Sequence, residues 1–155
     1  MGIEVERKFL VRGDGWRQFA TGSAVLRQFY LIADAERSIR VRSASHAAWL
    51  TLKFGKGERA RAEFEYPIPV GDVDQLAQFS VAHAIEKTRY RVPHRGRLYE
   101  VDVFAGDLAG LVLAELETPE DVPDHELPEW LGREVTGEPA FYNAAMARNG
   151  LPPLT

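Results

Sequence analysis

The chain has 155 residues, 45% of them hydrophobic and 27% charged, which fits one ordinary globular domain with room for a sizeable core. Its formal net charge of −4 argues against a surface built to coat nucleic acid, and the absence of cysteine excludes disulfides, thiolate metal sites and thiol nucleophiles. No signal peptide is visible at the start and no uncharged apolar run approaches the ~18 residues of a membrane span, so a cytoplasmic protein without membrane contact is expected.

Residues 3–11 alternate with period two. Glu4, Glu6 and Lys8 fall on one strand face; Ile3, Val5, Phe9 and Val11 fall on the other, with Arg7 the polar exception. Gly13-Asp14-Gly15 breaks the pattern, and residues 16–20 can form one short helical piece. Residues 25–32 read as a second strand and 38–43 as a third, the latter with Arg40 and Arg42 on one face. In a fourth, 49–54, Trp49, Thr51 and Lys53 oppose Leu50, Leu52 and Phe54. The turn Gly55-Lys56-Gly57-Glu58 leads to a fifth, 59–66, where Arg61, Glu63 and Glu65 alternate with Ala62, Phe64 and Tyr66. Asp72 is placed to cap a helix through about residue 80. Strands follow at 85–92 (Lys87, Arg89 and Arg91 on one face), 98–104 (Glu100 and Asp102) and 111–118 (Glu115 and Glu117). Three prolines punctuate the loop after that, and residues 130–134 and 139–149 look helical. The sum is about eight strands and two or three helices in a single domain over 1–155, with strands at about 3–118 and a helical tail at about 124–150.

The same kind of face recurs along the chain. Three of the four lysines lie on strands beside arginines and carboxylates, whereas a solubilising surface would scatter them through loops. About eight antiparallel strands can curl until their edges meet, which removes the edge-strand liability. With the charged faces inward, the lumen is a tunnel lined by both signs, costly unless the charges pair or bind ions. Carboxylates on adjacent strands suit a hard cation such as Mg²⁺ or Mn²⁺, and guanidinium forks suit a polyphosphate. Alternation alone leaves a sandwich with charged outer faces open.

Assembled in order, these residues resemble the CYTH family of triphosphate tunnel metalloenzymes. Its E-x-E-x-K opening matches Glu4-Val5-Glu6-Arg7-Lys8. The similarity continues through Gln28-Phe29-Tyr30-Leu31, Arg40-Val41-Arg42, Thr51-Leu52-Lys53, Glu63-Phe64-Glu65, Lys87-Thr88-Arg89, Glu100-Val101-Asp102 and Glu115-Leu116-Glu117. Phe29 departs from the pattern, standing where short bacterial members often have glycine.

The resemblance implies a mainly β (α+β) fold: a closed eight-stranded antiparallel β-barrel tunnel with a charged lumen and helices packed outside. It implies Glu4, Glu6, Glu115, Glu117 and Asp102 as metal ligands for Mg²⁺ or Mn²⁺, with Glu100 as their neighbour. It implies Lys8, Arg40, Arg42, Lys53, Lys87 and Arg89 as the substrate-binding cradle, and Glu4, Glu6, Lys8, Lys53 and Asp102 as the catalytic set. Glu63, Glu65, Arg61 and Arg91 would tune the lumen charge. The activity so implied is metal-dependent hydrolysis of inorganic tripolyphosphate to pyrophosphate and phosphate by a monomer or homodimer, with no nucleic-acid partner. The alternatives are a class IV adenylyl cyclase, a thiamine triphosphatase, or a module that binds polyphosphate or a nucleotide without turnover.

Other residues draw attention without sharing this pattern. His46, His83, His94 and His125 have no common ligand spacing and read as surface or structural residues. The glycine-containing turns match no phosphate-binding loop. The three tryptophans read as packing residues, with Trp49 placed by its parity at a tunnel mouth.

Overall fold

The computed structural model describes residues 2–56 and 60–154, and of Glu4 the backbone alone. The expected turn residues Gly57 and Glu58, the strand start at Arg59 and the Glu4 side chain lie outside the described residues. The alternating segments form strands β1 (Gly2–Val11), β2 (Gly22–Ala33), β3 (Arg37–Ala44), β4 (Ala47–Phe54) and β5 (Ala60–Ile68). After them come helix α1 (Val73–Ala77) and strands β6 (Ile85–His94), β7 (Arg97–Phe104) and β8 (Val112–Glu117). The helix is shorter than its apolar spacing predicts, because after Ala77 the backbone tightens into three-residue turns, with Gln78, Phe79 and Ser80 bonding the carbonyls of Gln75, Leu76 and Ala77.

All the described strands belong to one antiparallel sheet in the order β5-β4-β3-β2-β6-β7-β8-β1, and pairing of β1 with β5 closes it into an eight-stranded barrel. Closure replaces the two outer edges of the open sheet with a β1–β5 seam over Gly2–Val5 and Ala60–Glu63. The ten residues of β1 make it possible. One edge pairs with β8 from Glu6 to Leu10, while the other pairs with β5 only from Gly2 to Val5.

The far half of that second edge takes a ninth strand, β9 (Leu131–Glu134), through Phe9↔Glu134 and Val11↔Leu131. These residues are strand, not the helix that the sequence suggests. The N–H groups of Arg12 and Val135 donate to Trp130 O and Lys8 O, both at 2.8 Å, satisfying an edge that would otherwise stay unpaired. A side chain at Gly132 would bring its Cβ to 3.2 Å from Leu10 O, so the close strand approach uses the glycine. Beyond β9, residues 139–149 divide into a 3₁₀ turn, Pro139–Phe141, an extended Tyr142 and helix α2 (Asn143–Asn149).

Three apolar clusters hold this frame. One lies under α1 on the outer face, where Val73 meets Phe29, Val41 and Ala48. A second wraps the outside of β6, β7, β8 and β1, with Trp16, Tyr99, Val101 and Leu116 buried beneath the 3₁₀ turn Gly15–Phe19 and the loop after β8. The third joins Ile85, Phe104 and Leu113 to Phe141, Met146 and Ala147 of the tail. By register, those three strand residues are on the same side as Lys87 and Asp102, so this cluster stops one end of the barrel and seats α2 across it.

Candidate active site

Strand register lines up the charged residues across the barrel. Glu6 faces Glu117 and Lys8 faces Glu115 across β1 and β8, and Glu115 faces Glu100 on β7. Arg40 lies between Tyr30 and Thr51, and Lys53 lies opposite Glu63. All of these side chains point inward and line one cavity of ≈ 730 Å³. Two-residue alternation carried through eight closed strands is what brings them together.

Ion pairs and hydrogen bonds knit the wall. Lys8 Nζ is 3.7 Å from Glu115 and donates to the Phe141 carbonyl at 3.1 Å. Lys53 Nζ lies 3.7 Å from Glu63. Arg42 Nε donates to Gln28 Oε1 at 3.2 Å, Arg40 Nη2 to Thr51 Oγ1 at 3.4 Å, and Thr51 Oγ1 to Glu65 at 2.9 Å. Arg40 Nε and Gln28 Nε2 are buried without a hydrogen-bond partner, donors left over in the wall.

Asp102 and Lys87 take a different position from the rest. Asp102 is 1% exposed and accepts both arms of Arg89, Nε at 2.7 Å and Nη2 at 2.8 Å. Lys87 Nζ is 2.7 Å from Asp102 Oδ2, the oxygen that also accepts Arg89 Nη2, but off the hydrogen-bond direction, and it sits over the Phe104 ring. Neither residue lines the cavity. Their partner Arg89 does, held from behind.

Burial and charge set the protonation states. Burial pushes Lys87 down to about 7, with Arg89 and Arg42 adding to the effect against the pull of Asp102. Burial would raise Asp102, but Lys87 and Arg89 outweigh it and hold the carboxyl below its ordinary value. Burial likewise opposes ionisation of Glu115, yet Lys8, Arg89, Lys87 and Lys53 keep it well below the usual range. Lys8 is raised despite its burial, by Glu115 and Glu6. Burial, together with Arg40 and Arg89, brings Arg42 down to about 10 against the opposing pull of Asp102 and Glu115.

The carboxylates offer oxygen donors only, the chemistry that a hard divalent cation takes. Glu6 and Glu117 stand directly opposite across β1 and β8 and both line the cavity. Among the described residues, no three acidic or histidine side chains already converge as a cage. The carboxylates present fit a cation that keeps some water or ligand oxygens in its shell, as Mg²⁺ commonly does.

Of the residues singled out by sequence, Glu6, Lys8, Arg40, Arg42, Lys53, Arg89, Glu115 and Glu117 line the cavity, as do Arg61, Glu63, Glu65 and Glu100. The Glu4 side chain is outside the described residues, though its backbone pairs with Arg61. Trp49 lies on the inward side opposite Arg42 without reaching the lining, and none of the four histidines reaches it. Also in the lining, with no site role expected from the sequence, are Tyr30, which shares the inward parity of Gln28, the rim residues Asp34 to Ser38, and the tail residues Tyr142, Asn143 and Arg148. The rim and tail residues carry no periodic signal that would assign them.

Comparison with known proteins adds independent findings. A family model, CYTH domain, matches residues 2–142. An inorganic triphosphatase of Acetivibrio thermocellus is 39% identical over 150 residues, covering 96% of both chains. One from Nitrosomonas europaea is 37% identical over 152 residues, covering 93% of this chain and 96% of that one. The fold matches a crystal structure of an inorganic triphosphatase with a TM-score of 0.65 at 34% identity, over 95% of each chain.

Proposed function

The chain belongs to the CYTH domain family, and we propose that it hydrolyses triphosphates, inorganic tripolyphosphate foremost, to pyrophosphate and phosphate with a divalent cation, Mg²⁺ or Mn²⁺. The observation that carries this is one cavity of ≈ 730 Å³ in which Lys8, Arg40, Arg42, Lys53 and Arg89 face Glu6, Glu115 and Glu117. Cations in such number call for a highly charged anion, and the facing carboxylates call for a metal beside it. The relatives named inorganic triphosphatase support the same activity.

Phosphoryl transfer needs positioning and charge stabilisation more than a covalent nucleophile. Arg40, Arg42, Lys53 and Lys8 hold the phosphate oxygens, and the buried Arg40 Nε is a donor ready for one of them. Arg89 presents its remaining donors to the cavity while Asp102 fixes its other edge. Glu6, Glu115 and Glu117, with Glu4, would hold the cation, which supplies neutralisation of phosphate charge when bound. Glu115 stays ionised and so serves as a ligand rather than a proton store. We assign Asp102 and Lys87 to the wall behind Arg89 rather than to metal or substrate, because Asp102 pairs with both Lys87 and Arg89 and neither Asp102 nor Lys87 lines the cavity. Water adds to a terminal phosphorus, the bridging P–O bond breaks, and pyrophosphate leaves.

Among the described residues no helix is long and apolar enough to cross a membrane. We place the enzyme in the cytoplasm, as a monomer or homodimer acting on a small-molecule triphosphate without a nucleic-acid or membrane partner.

The test is product analysis of the purified chain given tripolyphosphate, ATP and thiamine triphosphate with Mg²⁺, Mn²⁺ or a chelator. Phosphate release from tripolyphosphate, abolished by the chelator, is the expected result. Cyclic AMP from ATP would make the protein a cyclase, and tight binding of the triphosphates without turnover would make it a binding module.

A further inference from the structure

The tail contributes a ring to the cavity that no strand supplies. Tyr142 lies in the lining, and the guanidinium carbon of Arg61 on β5 sits 5.2 Å from its ring centroid, a stacked cation–π pair. Both sides of Tyr142 are fastened. Just before it, Phe141 is 2% exposed in the apolar plug, and the Phe141 carbonyl accepts the Lys8 ammonium at 3.1 Å. Just after it, the Met146 N–H donates to Tyr142 O at 2.9 Å and opens α2. The backbone that carries the ring is thereby tied to the lysine of the opening strand.

We propose that Tyr142 is a positioning residue that sets Arg61 in the path of the triphosphate and selects a bare polyphosphate over a nucleotide. This rests on the triphosphatase function argued above and deepens it. Arginine has many rotamers, and one laid on a fixed ring loses less freedom when it meets a phosphate. The same pairing occupies one face of the ring, a face on which a nucleobase would otherwise stack. Tyr30, the other tyrosine in the lining, is 4% exposed among Ile85 and Phe104 and offers no open face. A substrate with phosphate at both ends can use Arg61, whereas a nucleoside triphosphate must put its sugar and base somewhere in the same crowded lumen.

Steady-state kinetics of Y142A, Y142L, Y142F, R61A and the double variant R61A/Y142A with tripolyphosphate and ATP test the proposal, with the thermal midpoint of each variant recorded. Y142A and Y142L are expected to raise KM for tripolyphosphate about three- to tenfold, the range for loss of a partly desolvated cation–π pair, with kcat within about twofold. The ratio of tripolyphosphate to ATP in kcat/KM falls in the same variants. Y142F keeps the ring and restores the wild-type KM. R61A raises KM as well, and adding Y142A to it changes little more, because the two residues act as one unit. Should Y142A fold poorly, Y142L keeps apolar bulk at the site without the ring's electrostatics. Unchanged KM and selectivity in a folded Y142L, full additivity in the double variant, or failure of Y142F to restore KM overturns the proposal. If the wild-type protein releases no phosphate from tripolyphosphate, the assigned activity fails; calorimetric titration of tripolyphosphate into the same variants then reads the Tyr142–Arg61 coupling as affinity.

Discussion

Glu100 and Asp102 are two residues apart on one strand face, about 7 Å along the strand, and they meet opposite fates. Glu100 lines the cavity, while Asp102 is sealed against Arg89 and Lys87. Glu6 is on the cavity side of that divide, facing Glu117. Glu6→Gln removes a proposed cation ligand, so kcat/KM should drop about 100-fold or more. Near-normal turnover in E6Q would remove Glu6 from the metal set. Lys87 carries a pH signature of its own, among Asp102, Arg89, Arg42 and Glu115. Its folded value of about 7 is below the ordinary 10.5. Between those values the unfolded chain binds the extra proton, so stability rises with pH, at most about 1.4 kcal/mol per unit. Below that window both states are protonated and the contribution is flat. Urea unfolding from pH 7 to 10 should show this rise in the wild type and its loss in Lys87→Met.

At the scale of elements, the strand that begins the chain does two jobs with one edge, closing the barrel on β5 and then receiving β9. Gly132 is where β9 comes closest, with the Leu10 carbonyl 3.2 Å from a would-be Cβ. Backbone cannot give way there as a flexible side chain could. Gly132→Ala should therefore cost about 1–3 kcal/mol in denaturant unfolding and, by shifting the tail that bonds Lys8 Nζ, raise KM for tripolyphosphate. A stability unchanged from wild type would mean that β9 adjusts freely. The strands of the barrel and the face each charge occupies were legible because alternation records which side a residue points to. Depth along the barrel axis was not, since it depends on register between segments far apart in sequence, and so Asp102 and Lys87 looked equivalent to Glu100 and Arg89. The strand at β9 was hidden for a related reason. Four residues carry too little periodicity to tell strand from helix, and the deciding factor is an unpaired edge more than a hundred residues away.

For the molecule as a whole, the lumen holds rows of cations and carboxylates in one cavity. Burial and neighbouring cations bring Arg42 down to about 10, and Glu6 and Glu117 stand face to face. An anion suits the cations and a divalent cation the carboxylates, and the two ligands also attract each other across the cavity. Each should therefore bind more tightly in the presence of the other, by the same factor in both directions. A non-hydrolysable imido analogue of tripolyphosphate lets this be measured without turnover. Mn²⁺ alone and analogue alone should each raise the thermal midpoint modestly, and the pair should raise it by more than the sum. Saturation at about 100 times the dissociation constant corresponds to roughly 2.7 kcal/mol of stabilisation for one ligand. In E6Q the analogue alone should still stabilise, because the cationic row is intact, but the excess from adding Mn²⁺ should shrink. Simple additivity in the wild type would show that the carboxylates and the basic rows serve separate ligands, and would break the link between the metal and the triphosphate on which the catalytic assignment depends.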